Sequence, residues 1–183
     1  MLRQICPLPV VPQAFIGRGG REENIIAINF EDLAFEDLQA SCLIYPAGRF
    51  DIRGKALLKI SPKYYVVDAA IRYLKVSRHG QDTGHILENT VYLELLRRGY
   101  KVYVGSMTGG EVDFVTKDAQ DRLAYYQVSE STLQSAVIER ELKPLQRIKD
   151  NYPKYLLTLD EVNATADYDG IRKENVLKWL LEG

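Results

Sequence analysis

The chain has 183 residues, of which 46% are hydrophobic and 27% charged, and its formal net charge is −1. This balance fits a folded globular protein rather than a disordered one, and it argues against a general coat for nucleic acid. No apolar run reaches the roughly 18 residues of a membrane span. Pro7, Pro9 and Pro12 interrupt the apolar start without a signal-peptide pattern, and Cys6 and Cys42 match neither a metal-ligand spacing nor a disulfide framework. A cytoplasmic protein with no membrane partner is expected.

Residues 1–24 are rich in Pro and Gly, and Gly17-Arg18-Gly19-Gly20 lacks the Gly-Lys-Ser/Thr ending of a phosphate-binding loop. Ile25–Phe30 reads as a buried strand, followed by a short helix near Leu38. Residues 44–68 read as short strands at Ile44–Tyr45 and Tyr64–Val67 around a helical or turn segment at Gly54–Lys59. Asp68 is placed to cap a helix over Ala69–Leu74, and Ser77–Thr83 is a polar loop. Charge is uneven here. Arg49, Arg53, Lys55, Lys59, Lys63, Arg72, Lys75 and Arg78 face only Asp51 and Asp68, while residues 1–43 are acidic on balance. A basic stretch of this kind either tracks a phosphate backbone or pairs with the acidic N-terminal piece.

From Gly84 to Arg98 the spacing of Leu87, Val91 and Leu95 predicts a helix, closed by Arg97, Arg98 and Gly99. Strands are expected at Lys101–Gly105, Glu111–Thr116 and Ala124–Val128, joined by a Gly109-Gly110 turn and a hairpin loop at Asp118–Arg122. Ser131 or Thr132 should cap a helix with Ile138, Leu142, Leu145 and Ile148 on its apolar face, bent or restarted at Pro144. A strand at Tyr155–Leu159, a turn at Asp167–Gly170 and a short helix at Glu174–Leu181 complete the chain. The order from Gly84 is α-β-β-β-α-β, which gives a mixed sheet flanked by helices.

Three polar residues stand out in this frame. Glu88 lies beside the apolar stripe of its helix, Asp113 sits between Val112 and Phe114, and Gln127 between Tyr126 and Val128. Alternation puts Val112 and Phe114 on one face and Glu111, Asp113 and Val115 on the other. An aspartate among apolar neighbours is costly unless something satisfies it. Three oxygens from such elements suit one hard cation such as Mg²⁺. Each also has a structural reading: Glu88 as a helix-dipole acid, Asp113 paired with an arginine, Gln127 bonded to backbone. Arg140 either leans over the Asp113/Gln127 face or forms an exposed ion pair. His79 and His85 read as surface or capping residues. The paired tyrosines at 64–65 and 125–126 either stack bases or pack in the core, with packing the simpler reading.

The stretches Ile86-Leu87-Glu88-Asn89, Glu94 to Tyr103, Glu111 to Val115, Tyr126 to Ser129, Arg140-Glu141-Leu142 and Ile148 to Tyr155 together resemble a known family. It is the C-terminal domain, of uncharacterised function, of predicted AAA+ superfamily ATPases. The resemblance covers roughly residues 44–183, and that domain is similar in outline to the PD-(D/E)xK nuclease fold with its restriction-endonuclease-like core. It implies Glu88 as the helix acid, Asp113 as the central metal-binding acid and Gln127 as the third-motif ligand. In that pattern the third motif ends in lysine, where this chain has Ser129. A substitute such as Arg140 or Lys143 would then be needed. Residues 17–38 resemble the piece that follows the Walker A helix in the same ATPases, without the Walker A lysine, so no ATP hydrolysis is expected.

The expected organisation is thus an ATPase remnant over 1–43, a basic and winged-helix-like connecting segment over 44–83, and a nuclease-like domain over 84–183. The expected activity is a degenerate Mg²⁺-dependent phosphodiesterase acting on DNA, with Arg49, Arg53 and Lys55 contacting the nucleic acid. The alternative is a non-catalytic module for binding DNA or protein, or for forming a homodimer through the remnant strand.

Overall fold

In the computed structural model of the chain, residues 42–68 and 83–182 are described. The expected strand at 25–30, the helix near Leu38, the helix at 69–74, His79 and the remnant strand offered for dimerisation lie outside them. Cys42 is disulfide-bonded, where no disulfide framework was expected.

The elements in order are β1 (Ile44–Ala47), β2 (Arg49–Asp51), β3 (Ala56–Leu57), β4 (Lys63–Val66), α1 (Thr83–Arg97), β5 (Lys101–Met107), β6 (Gly110–Lys117), β7 (Leu123–Ser129), α2 (Ser135–Gln146), β8 (Lys154–Thr158), β9 (Ala166–Tyr168), β10 (Ile171–Asn175) and α3 (Val176–Leu181). β1 and β4 form an antiparallel ribbon, and the other strands form one mixed sheet in the order β3-β2-β5-β6-β7-β8-β10-β9. Between α1 and β8 the expected α-β-β-β-α-β order holds. The sheet is wider than expected. β3 forms within the 54–59 segment where a helix or turn was expected, β2 forms just before it where no element was expected, and β9 and β10 extend the other edge where a turn and the start of a helix were expected.

α1 forms because its apolar residues recur three and four apart. Leu87, Val91, Tyr92 and Leu95 are buried together with Glu88. The helix ends at Gly99, whose φ is +83°. Its amide donates to the Leu96 carbonyl at 2.9 Å and that of Tyr100 to Leu95 at 3.2 Å, the paired bonds of a Schellman ending. α2 starts later than expected. Gln134 holds its N-cap position without a side-chain bond, and the helix continues through Pro144 to Gln146.

The sheet separates two apolar layers. One gathers Leu87, Val91, Tyr92, Leu95, Phe114, Tyr126 and Trp179 under α1 and α3; the other gathers Val112, Val115, Tyr125, Leu142, Leu145 and Leu156 under α2. Val112 and Phe114 therefore face opposite layers, against the expectation from simple alternation. The cause is in the register. Tyr103 pairs with Val115 but Gly105 with Val112, so β6 carries one residue more than β5 across this span. This bulge reverses the facing of everything on its far side. Gly105 sits opposite it, where a Cβ would lie 2.8 Å from both Ile52 Cδ1 and Val115 Cγ2.

Candidate functional site

The bulge lies at the point where β6 and β7 part. Their ladder runs from Lys117 opposite Leu123 to Phe114 opposite Tyr126 and ends there. Beyond it side chains take over the pairing. The Val128 amide donates to Asp113 Oδ2 at 2.8 Å, and the Asp113 amide donates to Gln127 Oε1 at 3.4 Å. Asp113 thus replaces a missing carbonyl for β7, and Gln127 does the same for β6. The sequence signal was an acid inside an apolar strand, and the backbone opening explains how that acid is tolerated.

Burial pushes the Asp113 carboxyl up to about 7, with the negative charge of Glu88 adding to the effect. The Val128 amide and Lys63 pull it back down, and Glu141 raises it further. Glu88 and Asp113 are therefore electrostatic neighbours although they come from α1 and β6.

Glu88 is buried beneath the β1–β4 ribbon. Tyr65 donates its hydroxyl to Glu88 Oε1 at 2.6 Å, and Lys63 Nζ donates to the same oxygen at 2.5 Å. Lys63 and Tyr65 lie two apart on β4 and so share a face. The next residue on α1 fixes the strand in place. Asn89 accepts from the Val66 amide at 2.9 Å and donates to the Val66 carbonyl at 2.7 Å. Burial and then Glu88 raise the Tyr65 hydroxyl far above the ordinary tyrosine range, so it stays a donor. The Tyr65 ring stacks on Tyr92 with centroids 4.0 Å apart. His85 Nδ1 lies 3.6 Å from Glu88 Oε2.

On the other side, Gln127 Nε2 donates to Glu141 Oε2 at 3.0 Å. Arg140 Nε and Nη2 donate to Glu141 Oε1 at 3.0 and 2.8 Å. Arg140 is largely exposed and connects to Gln127 through Glu141. Both ends of the Gln127 amide are thus engaged, one by Asp113 and one by Glu141.

Of the expected site residues, Asp113 and Gln127 are in direct contact, and Glu88 is coupled to Asp113 by charge. Lys63 and Asn89 were not singled out, Tyr65 was named only as a stacking or packing ring, and Glu141 only beside Arg140. Asn89 and Glu141 stood in the quoted stretches, and Lys63 stood in the basic segment. Their roles were hidden because Lys63 and Tyr65 reach Glu88 only through a ribbon pairing distant in sequence. Ser129 Oγ donates to the Ser131 carbonyl at 3.2 Å.

Of the residues expected to contact nucleic acid, Arg49 and Lys55 have internal partners. Arg49 pairs with Glu111 and donates to the Ser61 carbonyl at 3.3 Å. Lys55 pairs with Asp150 and donates to Tyr125 Oη at 2.5 Å. The Arg53 amide donates to Asp51 Oδ1 at 3.0 Å, and its side chain is exposed. Tyr65, Tyr125 and Tyr126 are buried, as packing required, whereas Tyr64 and Tyr152 are each 39% exposed.

For a divalent cation the available donors are two carboxylates, Glu88 and Asp113. Among the described residues no group of three or more His, Cys, Asp and Glu side chains could hold a metal ion. Two acids with water and phosphate do suit Mg²⁺, which rarely uses an all-protein cage. Burial, and after it the negative charge of Glu88, raises Asp113. Gln127 Oε1 accepts from the Asp113 amide, so it acts on the backbone of Asp113 rather than as a third ligand.

A protein of Haemophilus influenzae (strain ATCC 51907 / DSM 11121 / KW20 / Rd), described as an uncharacterized protein, is 39% identical over 145 residues. The match covers 79% of this chain and 35% of that protein, so the chain spans about a third of the relative's length. No family model and no solved structure matches. Among the described residues no helix is long and apolar enough to cross a membrane.

Proposed function

We propose that residues 44–183 are a nuclease-like module that binds a divalent cation through Glu88 and Asp113 and acts on a phosphodiester, with DNA as its substrate class. The observation that carries this reading is the charge arrangement at the strand fork. The desolvated Asp113 carboxyl feels the charge of Glu88, and Lys63 from another element bonds Glu88 and pulls Asp113 the other way by charge. Desolvation combined with a specific charge partner is enriched at functional sites.

The residues divide the work. The Val128 amide orients Asp113, while Tyr65 and Asn89 hold Glu88 and the strand above it. Lys63 brings a positive charge to the acid pair, which the serine at 129 cannot do. Lys63 therefore replaces Arg140 and Lys143 as the substitute for the third-motif lysine. A bound divalent cation would polarise the phosphodiester and lower the pKa of a water. The resemblance to the C-terminal domains of AAA+ ATPases supports the same reading, including a restriction-endonuclease-like core, and no ATP chemistry is proposed.

A non-catalytic DNA- or protein-binding module is the second reading. It is favoured by the bonds that already satisfy Glu88 and Gln127. Calorimetric titration with Mn²⁺ separates the two. The first reading requires binding at millimolar or lower concentration that Asp113→Ala abolishes; wild-type protein with no binding would leave the second.

A further inference from the structure

A second polar site lies apart from the acid pair, in a cavity of about 440 Å³. Three segments distant in sequence build it: the turn between β2 and β3, the end of β5 with its turn, and the residues following α2. Ile52 and Ile148 are buried and line its interior, whereas Arg53, Lys55, Arg147 and Lys149 are exposed at its mouth. Asp150 is the one acid of the lining, and Lys55 already pairs with it. Among the described residues no carboxylate pairs with Arg53, Arg147 or Lys149. Three exposed like charges around one cavity attract an anion.

Two of the four cations are also held in place. Arg147 Nη1 donates to the Gly109 carbonyl at 2.8 Å, which fixes the guanidinium beside the cavity and leaves its charge uncompensated. Lys55 Nζ lies 5.3 Å from the Tyr125 ring centroid and 5.4 Å from that of Tyr152. The volume falls in the range of small-ligand pockets, roughly 300–1,000 Å³. An apolar interior with a cationic mouth matches a ligand with a flat apolar part and a phosphate. Arginine suits phosphate because its planar fork donates two parallel bonds.

We propose that this cavity binds a nucleoside phosphate, either free or as a unit of a nucleic-acid strand, through Arg53, Arg147 and Lys149. The site does not use Asp113, so it stands or falls independently of the cation-dependent reading.

The test is fluorescence anisotropy with the full chain, using a fluorescently labelled adenosine monophosphate and a labelled short oligothymidylate, each competed by inorganic phosphate. Saturable binding of either nucleotide probe, weakened at least about tenfold by Arg147→Ala with Lys149→Ala, supports the site. Arg53→Ala should weaken it in the same direction. Binding of the mononucleotide assigns the free ligand; binding of the oligonucleotide alone assigns the strand. The proposal is overturned if neither probe binds, if the double variant binds as well as wild type, or if phosphate competes as strongly as unlabelled nucleotide. The substituted side chains are exposed, and an unchanged thermal midpoint excludes unfolding as the cause.

Discussion

The Val128 amide donates to the Asp113 carboxylate at 2.8 Å, just past the last paired residues of β6 and β7. The bond occupies a place that a backbone carbonyl would fill in an unbroken ladder. It holds an acid between two apolar layers, near Glu88 and Glu141. Function and stability should therefore conflict at Asp113.

Asp113→Asn keeps an acceptor for Val128 and removes the charge. Because its pKa is raised to about 7, Asp113 favours the folded state most below the ordinary aspartate range. That contribution is lost as pH rises from about 4 through about 7. The variant should match wild type near pH 4 and be the more stable above pH 7. Urea unfolding at both pH values checks this, and a less stable variant at high pH would contradict it.

Lys63→Met leaves Glu88 with the Tyr65 hydroxyl but without its ammonium. Lys63 is 37% exposed, so solvent moderates the loss, which should be about 1–2 kcal/mol. A double-mutant cycle with Glu88→Gln should return most of that value as coupling. Additive effects would mean that the contact carries no energy.

Gly105→Ala should destabilise by about 1–3 kcal/mol, because the methyl group would press on Ile52 and Val115 across the bulge. Thermal denaturation reads the effect, and an unchanged midpoint would show that the strands can part there without cost.

A second buried polar group joins β10 to the residues that follow β7. Asp160 accepts from Lys173 Nζ at 2.8 Å, from Thr132 Oγ1 at 2.7 Å and from Ser131 Oγ at 2.7 Å. Desolvation works against its charge, but these bonds prevail and hold the carboxyl below the usual range. Its stabilising effect is full above the ordinary value of about 3.9 and is lost as pH falls through the lowered one. Wild type should therefore lose stability more steeply than Asp160→Asn in that acid range. Lys173→Met should cost about 3–5 kcal/mol at neutral pH by leaving a buried carboxylate unpaired.

Much of the sheet's centre was legible in sequence because its signals are local. Leu87, Val91 and Leu95 recur at helical spacing, and β5, β6 and β7 alternate between turn residues. The bulge was not legible. An alternation rule has no means of placing an extra residue, so Val112 and Phe114 were put on one face. β10 was missed for a different reason: Arg172, Lys173 and Glu174 look like helix surface. Lys173 is nevertheless buried in mid-strand, because Asp160 compensates its charge. The expectation of capping by Ser131 or Thr132 failed likewise, since both hydroxyls bond Asp160. In the candidate site, Glu88 and Asp113 could be picked out as acids beside apolar residues. Lys63 could not, because its proximity to Glu88 depends on the pairing of β1 with β4.

The central claim is that Glu88, Asp113 and Lys63 form one phosphodiester-acting centre. Supercoiled plasmid and branched DNA incubated with the full chain and Mn²⁺ or Mg²⁺ test it most directly. Wild type should nick in a metal-dependent way, with nicking abolished by Asp113→Asn, which stays folded, and strongly reduced by Lys63→Met. Nicking that survives Asp113→Asn, or no nicking by a wild-type protein that binds Mn²⁺, would contradict it.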